Sequence, residues 1–338
     1  MSRPVFYYVH HQGRGHLDRA LAIASHAPRE FVLLGTGLAG RTADIASIDL
    51  ADDQPTRAPI EDATAPALHY APRDHPGIRS RVAAIATAID DHAPGLFIVD
   101  VSVEIALLAV IASVPMAYVR LSGDRYDPPH ETIFRAAHHL IAPFHRDLDD
   151  PVTPRWIMEK TRYIPGLTRA TPSPRHGGRI VLVVAGQGGP GYDGDLIAAA
   201  AEATPDHEWR CIGPVTPAAA APSNLAILGW SETPAQDIAE AAIVVGGAGD
   251  GLVGAVLAVN RPFICIPEAR PYHEQQRKAA ALRRLGAAIV TASWPAPALW
   301  PDLLARAARL DPEIPARLHD PTAPARAVDD LLALANAA

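Results

Sequence analysis

A histidine follows a glycine-containing loop close to the start of the chain, in the segment YVHHQGRGHLDR. The pattern predicts a strand ending at Val9, a loop reaching Gly15 and a helix beginning near His16. Gly13 and Gly15 permit a close backbone approach that other residues resist, and free amides at a helix start attract anions or polar oxygens. An imidazole at this position could take a proton from a hydroxyl group as a general base. The alternative interpretation is a helix-capping loop in which the histidines only cap or meet solvent.

A carboxylate ends another predicted strand of the first half. Asp100 closes the apolar run LFIVD and precedes a helix that begins around Ser102. Parallel strands present their carboxyl ends at one edge of a sheet, so Asp100 could accept the second ring proton of His16 and stabilise the imidazolium. The alternative is that Asp100 caps the following helix, a position for which Ser102 competes.

The second half contains two further glycine-rich turns, each placed between a predicted strand and a predicted helix. They are VVAGQGGPG and VVGGAGDG. Backbone amides in such turns face anions, and two turns in one domain suit a nucleotide diphosphate. The predicted donor-binding residues of these turns are Gly186, Gln187, Gly188, Gly189, Gly247, Ala248, Gly249 and Asp250.

A carboxylate and an amide stand side by side at another predicted helix start. Glu274 and Gln275 suit sugar hydroxyls, which both donate and accept hydrogen bonds, although an ordinary helix start with surface Glu and Gln is the alternative. The acceptor should meet the first half, where the polar loop 120–131 is expected to form part of the wall unless it is simply solvated. The predicted acceptor-binding residues are Gly13, Arg14, Gly15, Arg120 and Asp124.

Length and composition exclude several classes of protein. A chain of 338 residues exceeds what one hydrophobic core usually organises, and 49% hydrophobic with 20% charged residues is typical of globular proteins. The formal net charge of −7 provides no overall basic field, so nucleic acid is not an expected partner. The GxGH loop lacks the third glycine and the later acidic residue of a dinucleotide fingerprint, which disfavours NAD.

The cellular compartment is expected to be the cytoplasm. Cys211 and Cys265 stand in apolar runs that predict buried strands, and they form neither a disulfide framework nor a zinc spacing. The start of the sequence lacks the apolar stretch of a signal peptide, and no apolar run approaches the roughly 20 residues that span a bilayer. Membrane contact is therefore expected to be peripheral at most.

Short β-branched runs alternate with helical periodicity twice along the chain, which predicts α/β architecture with two parallel sheets. A stretch rich in Pro, Gly, Arg and Thr over residues 143–178 predicts a linker. The expected domains are 1–165 and 166–338, with the last helix packing back on the first. The predicted strands are 5–9, 31–34, 96–99, 116–119, 140–142, 180–184, 209–212, 225–228, 243–245 and 263–266. The predicted helices are 16–24, 78–91, 103–112, 131–138, 194–203, 234–241, 251–258, 274–285, 297–310 and 323–335.

Taken in order, these motifs resemble the GT-B glycosyltransferases, particularly the MurG-like N-acetylglucosaminyltransferases and the UDP-glycosyltransferases of natural-product pathways. The similarity covers nearly the whole chain and rests on GxGH, the Asp-ended strand, ILGWSETPAQDIAEAAIVVGGAG, RPFICIPE and EQQRKAAALRRLGAA. It implies two Rossmann-like domains facing across a cleft, the first holding a hydroxyl acceptor of unknown identity and the second a nucleotide sugar such as a UDP-sugar. It also implies inversion, no metal and no other cofactor.

The resemblance assigns roles residue by residue. His16 matches the base, Asp100 its partner, Gly249 the diphosphate-turn glycine, Glu274 and Gln275 the pair on the donor sugar, and Gly186–Gly189 the phosphate-facing loop. This sequence departs from those families at Gly247, where His or Arg is frequent, at Ala255, where a ribose-binding Glu is usual, and at Lys278, where Asn is usual. Two alternatives stay open: a nucleotide-sugar hydrolase of the same fold, because GxGHxxR also resembles such enzymes, and a non-catalytic nucleotide-sugar binding protein.

Overall fold

The computed structural model describes residues 3–11, 14–54, 67–171, 178–186, 189 and 191–337, and of residue 14 only the backbone. Within these residues the chain forms two parallel β-sheets, each flanked by helices. The prediction of two Rossmann-like α/β halves is confirmed.

The first half forms a seven-stranded sheet in the order β3-β2-β1-β4-β5-β6-β7, and each neighbouring pair is parallel. The order of the strands reverses between β1 and β4. Open parallel sheets bind ligands outside the carboxyl ends of the two strands at such a reversal. The strands are β1 (Val5–Val9), β2 (Phe31–Gly35), β3 (Ala46–Asp49), β4 (Leu96–Asp100), β5 (Met116–Val119), β6 (His139–Ala142) and β7 (Thr161–Tyr163).

The second half forms a six-stranded parallel sheet in the order β10-β9-β8-β11-β12-β13. Here the order reverses between β8 and β11, so the loops that follow these two strands lie at the edge where a ligand is expected. The strands are β8 (Ile180–Val184), β9 (Glu208–Ile212), β10 (Leu225–Gly229), β11 (Ile243–Gly246), β12 (Phe263–Cys265) and β13 (Ile289–Val290).

Helices cover both faces of the sheets, which explains why central strands are continuous apolar runs rather than alternating ones. Strands β1 and β4 are buried at every position. Cys211 and Cys265 are buried in β9 and β12 as free thiols, and burial raises the pKa of each thiol to about 12. They are small core residues, as predicted.

The helices connect the strands or follow the second sheet. Ser102 accepts a hydrogen bond from the Ile105 amide and caps α3, so Asp100 does not cap that helix. The helices are α1 (Arg14–Ala24), α2 (Pro76–His92), α3 (Val103–Ile111), α4 (Pro128–Ala136), α5 (Arg155–Lys160), α6 (Gly194–Glu202), α7 (Pro234–Glu240), α8 (Asp250–Ala258), α9 (Glu274–Leu285), α10 (Trp300–Ala307), α11 (Glu313–Leu318) and α12 (Ala323–Ala337).

The last helix belongs to the packing of the first half. Val328, Leu331 and Ala335 of α12 are buried in the same core cluster as Tyr7 and Ile98 of the first sheet. Arg162 of β7 also pairs with Asp330 of α12, with 2.6 Å between the charged atoms. The chain therefore returns to the first half after completing the second.

All ten predicted strands are present, with ends within one residue of the prediction. The linker prediction for 143–178 is wrong in part, because α5 and β7 form inside it. The sequence pattern also missed β3 and β13, which are half-exposed edge strands of their sheets. In the described part of the chain, no helix combines the length and the apolar character needed to cross a membrane.

Candidate active site

His16 and Asp100 meet at the point where the first sheet reverses its strand order. Asp100 is the last residue of β4 and is fully buried, whereas His16 lies in the first turn of α1 and is 14% exposed. His16 Nδ1 lies 3.0 Å from Asp100 Oδ1. The structure thus brings together the two residues predicted as base and partner.

Two further side chains converge on the same carboxylate. The Tyr7 hydroxyl donates to Asp100 Oδ2 over 3.1 Å, and Arg19 donates from Nε to Oδ2 over 3.0 Å and from a terminal nitrogen to Oδ1 over 3.2 Å. Sequence reasoning assigned no role to Tyr7 or Arg19. The sequence contains one indication of the role of Arg19. It follows His16 by three positions, and residues three apart lie on the same face of a helix.

The buried network holds fixed charges. Burial alone would raise the pKa of Asp100, but Arg19 and His16 outweigh it and hold the pKa of Asp100 well below its usual range. Burial would lower the pKa of Arg19, yet Asp100 and Tyr7 reverse that effect and raise it. Burial and the neighbouring carboxylate raise the pKa of Tyr7. Asp100 is therefore an anion, Arg19 a cation and Tyr7 a neutral phenol at neutral pH.

Asp100 favours one tautomer of His16. A carboxylate only accepts hydrogen bonds, so Asp100 pairs with the tautomer that carries its proton on Nδ1, and in that tautomer the lone pair lies on Nε2. A terminal nitrogen of Arg19 also lies 3.1 Å from Nδ1, which places a positive charge beside the ring. The arrangement is that of a His–Asp dyad.

Two neighbouring histidines do not share this role. The ring centroid of His10 lies 5.3 Å from that of His16, and His10 stacks on His11 at 4.8 Å. Burial, with the neighbouring histidines, lowers the pKa of His10 to about 3, so His10 is neutral. His11 Nδ1 lies 3.2 Å from Asp53.

In the second half, a buried amide side chain holds the glycine turn that follows β11. Gln275 Oε1 accepts hydrogen bonds from the amides of Ala248 and Glu268, over 2.8 and 2.9 Å. A Cβ on Gly247 would lie 2.7 Å from the same oxygen, so a larger residue at this position would displace the Gln275 side chain that holds the turn. The carbonyl oxygen of Gln275, a residue predicted to contact a donor sugar, ties together the two loops after β11 and β12.

The turn leads directly into a helix. Gly249 is the N-cap residue of α8 and makes no side-chain cap, while Asp250 begins the helix. Free amides at a helix start favour an anion by about 0.3 to 1 kcal/mol each at exposed sites. The predicted donor-binding residues Gly247, Ala248, Gly249 and Asp250 therefore lie together at the carboxyl edge of the second sheet.

The other predicted phosphate loop follows β8. Gly189 donates its amide to the Gly186 carbonyl over 3.3 Å, and a Cβ on Gly189 would lie 2.5 Å from a carboxylate oxygen of Glu268. A larger residue at this position would therefore require the Glu268 carboxylate to move. The predicted residues Gln187, Gly188 and Gly13 and the side chain of Arg14 lie outside the described residues.

Lys278, one of the departures from the resembled families, forms a buried ion pair with Asp250. Lys278 Nζ lies 2.7 Å from Asp250 Oδ1, both side chains are at least nine-tenths buried, and Nζ also lies 3.5 Å from the ring centroid of Phe144. A buried charge needs a counter-charge. The lysine of α9 therefore supplies the cation that the aspartate at the start of α8 requires.

Glu274 connects the halves of the molecule. Its Oε2 accepts a hydrogen bond from Arg125 of the first half over 2.7 Å. Burial and Asp250 raise the pKa of Glu274, against the opposing effects of Arg125 and Lys278. Glu274 and Gln275, predicted as one acid–amide pair, thus have different partners: Glu274 pairs with the first half and Gln275 with the glycine turn.

The predicted acceptor residue Arg120 serves the structure of the first half. Its guanidinium forms a buried ion pair with Asp149 and also donates to Thr161 and Tyr163. These bonds join the end of β5 to β7. The charge of Arg120, predicted as an acceptor-binding residue, is therefore paired within the first half.

The predicted acceptor residue Asp124 makes contacts between the halves. It accepts two hydrogen bonds from Arg277 of α9, over 2.8 and 3.2 Å, and lies 3.1 Å from His273 Nδ1. Its amide donates to the Tyr272 carbonyl over 2.7 Å. Gly15, at the start of α1, is exposed, and a Cβ there would meet nothing within 4 Å.

Metal-ligating side chains come together elsewhere in the described residues. His69, Asp127 and His130 have potential ligand atoms within 4.8 Å of one another. Asp127 is already bonded to both histidine rings and to the His130 amide, and Arg125 lies 3.4 Å from His130 Nε2. The cluster satisfies its own hydrogen bonds, and the adjacent guanidinium disfavours a cation.

Comparisons with solved structures place this geometry in a known architecture. The chain is similar to the glycosyltransferase SnogD from Streptomyces nogalater, with a TM-score of 0.70 and 15% identity over 99% of this chain and 100% of that one. It has the GT-B fold. Similar values relate it to the spinosyn rhamnosyltransferase SpnG complexed with thymidine diphosphate (TM-score 0.64, 15% identity, 96% of this chain and 100% of that one). The glycosyltransferase VinC in complex with dTDP gives a TM-score of 0.64 and 14% identity over 99% and 100%.

The fold expected from the resemblance is therefore confirmed across the full length of the chain. No protein-family model and no curated protein sequence matches the chain.

Proposed function

We propose that the protein is a glycosyltransferase that moves a sugar from a nucleotide diphosphate to an acceptor hydroxyl, with inversion and without a metal. The observation that carries the proposal is the His16–Asp100 dyad, which lies at the ligand-binding edge of the first sheet. Helix α1, which bears His16, contacts α8, whose start follows the glycine turn of the second sheet. A base on one half and an anion site on the other are the two parts that such a transfer needs.

In the proposed reaction, the acceptor hydroxyl gives its proton to His16 Nε2. The hydroxyl oxygen forms the new bond to the anomeric carbon, and the electron pair of the breaking bond leaves with the diphosphate. Asp100 stabilises the imidazolium that forms. General-base catalysis of this kind contributes about 10²- to 10⁴-fold in rate.

The turns after β8 and β11 are the proposed site of the leaving diphosphate. Amides in such turns and at the start of α8 favour the developing negative charge without any metal. Two of the similar structures hold thymidine diphosphate. The donor is therefore proposed to carry a pyrimidine base, and both thymidine and uridine diphosphate belong in its test because Ala255 offers no carboxylate for a ribose hydroxyl.

The cytoplasm is the proposed compartment. Cys211 and Cys265 are buried free thiols, which suits a reducing environment.

The test compares His16→Ala with His26→Ala, an exposed histidine two residues beyond the end of α1. Donor binding is measured by calorimetry with both nucleoside diphosphates, and turnover by mass spectrometry with a panel of hydroxyl acceptors. His16→Ala should lower turnover about 10²- to 10⁴-fold with little change in donor affinity, while His26→Ala should resemble the wild type. Unchanged turnover in His16→Ala would contradict the proposal. Full-rate release of free sugar without acceptor would indicate hydrolysis instead.

A further inference from the structure

Arg19 and His16 contact the same buried carboxylate, and only one of them needs to be charged. We propose that Arg19 is a positioning residue, which balances the charge of Asp100 and thereby keeps the His16 imidazole neutral and ready to accept a proton. This inference rests on the proposed function in one respect, namely that His16 acts as the base. The protonation state of His16 can be measured without any enzymatic turnover, so the two proposals can fail separately.

The argument begins with charge balance. Asp100 is fully buried, and a buried carboxylate is stable only with a counter-charge close to it. Two groups in contact with it can supply that charge, Arg19 or a protonated His16. A guanidinium stays protonated at any pH the enzyme meets, so Arg19 supplies the charge permanently. His16 then has no need to hold a second proton.

The hydrogen bonds of Arg19 also orient the Asp100 carboxylate. Arg19 donates to both oxygens of Asp100, which fixes the orientation of the carboxylate and with it the 3.0 Å distance from Oδ1 to His16 Nδ1. The planar guanidinium does this with two nitrogens in one fixed fork, whereas a lysine offers a single point charge. The terminal nitrogen near Nδ1 also places a like charge against any imidazolium.

Among the residues whose side chains the structure describes, the other groups in contact with the dyad or close to it do not supply this positive charge. On the β1 side, Tyr7 is a neutral phenol and burial keeps His10 neutral, while His11 is paired with Asp53. From the second half, Asp250 and Glu274 act electrostatically on Arg19, and each is paired with a cation of its own. Removal of Arg19 would therefore leave His16 as the group beside Asp100 able to become its counter-ion.

The experiment is an NMR titration of the histidine ring protons in the full-length protein without substrates, with the His16 signals assigned from His16→Ala. Arg19→Met should raise the pKa of His16 by about 1 to 3 pH units, the range that charged neighbours produce. Arg19→Lys keeps the charge and should shift the pKa much less, while lowering kcat because the fork is lost. The acid limb of the pH–rate profile of Arg19→Met should move upward by the same amount as the NMR pKa.

A double variant keeps the test decisive if Arg19→Met folds poorly. Arg19→Met combined with Asp100→Asn removes both charges and should return the pKa of His16 close to its ordinary value of about 6.5. An unchanged or lowered pKa of His16 in Arg19→Met, or in the double variant a pKa still raised by a unit or more, would overturn the proposal. A raised pKa in Arg19→Met together with full activity of His16→Ala would instead retain the charge balance and reject His16 as the base.

Discussion

Replacing Asp100 with alanine is the strongest single perturbation of the buried network. The variant loses the hydrogen bonds from Tyr7 and Arg19 and the contact with His16, and it leaves the Arg19 guanidinium, 6% exposed, without its carboxylate. Removing one partner of a buried pair costs about 3 to 5 kcal/mol, because the remaining charge is uncompensated. We expect Asp100→Ala to lower the free energy of unfolding of the first half by about that amount.

The matched comparison is the double variant Arg19→Met with Asp100→Ala, which removes both charges. Groups in one network are not additive, and the double variant should be more stable than the sum of the single costs by about 1 to 3 kcal/mol. Urea unfolding followed by circular dichroism gives the free energies, and hydrogen exchange of the β1 and β4 amides assigns them to the first half. Additivity within about 0.5 kcal/mol would refute the reasoning that the two charges compensate each other.

Three further predictions concern stability and the glycine turns. The pKa of Asp100 lies below its unfolded value of about 3.9, so the carboxylate stabilises the fold above that pH and loses its contribution as the pH falls below it; Asp100→Asn should flatten the acid limb of thermal stability against pH, and an unaltered limb would contradict this. Gln275→Ala removes the acceptor of the buried Ala248 amide, at a cost of about 1 to 3 kcal/mol, and of the part-buried Glu268 amide; calorimetry should show weaker nucleotide binding than in the exposed control Gln236→Ala, and equal affinities would contradict a role of Gln275 in holding the two loops. Gly123→Ala places a Cβ 2.5 Å from a backbone oxygen of the second half, whereas the control Gly40→Ala, which also has a positive φ, meets nothing within 4 Å. The melting temperature should fall more for Gly123→Ala than for Gly40→Ala, and equal decreases would contradict the steric argument.

The central strands could be predicted from sequence because they are buried on both faces. Their residues must then be apolar without interruption, and β1 and β4 satisfy this at nearly every position. The edge strands β3, β7 and β13 are exposed or half-exposed and two to four residues long. Strands β3 and β7 carry polar residues, and β7 lies in a stretch whose composition is typical of a linker, whereas β13 is an apolar pair too short to be recognised as a strand.

The same logic separates the parts of the site that sequence could predict from those it could not. His16 and Asp100 follow strands that turned out to be neighbours at the reversal of the sheet, so their position along the chain was enough to bring them together. The partners of Arg120 and Gln275 depend on how loops fold back in three dimensions. A free arginine and one committed to Asp149 have the same sequence signature, and so do a sugar-binding glutamine and one that ties two loops together.

The pairing of Lys278 with Asp250 is another contact that the sequence alone could not predict. Lys278, taken alone, departs from the resembled families and indicates an altered donor contact. Its 2.7 Å ion pair with Asp250 gives the lysine a structural role, because a cation on α9 matches a carboxylate at the start of α8.

The central claim is transfer of a sugar between the two halves of the molecule. Its most direct test is to quantify, by mass spectrometry, glycosylated acceptor and released nucleoside diphosphate from one incubation of the purified protein with thymidine and uridine diphosphate sugars and a panel of hydroxyl acceptors. We predict equal molar amounts of the two products, formed only when an acceptor is present and with the anomeric configuration inverted. Nucleotide binding without any glycosylated product across the panel, or diphosphate release that does not depend on the acceptor, would contradict the account.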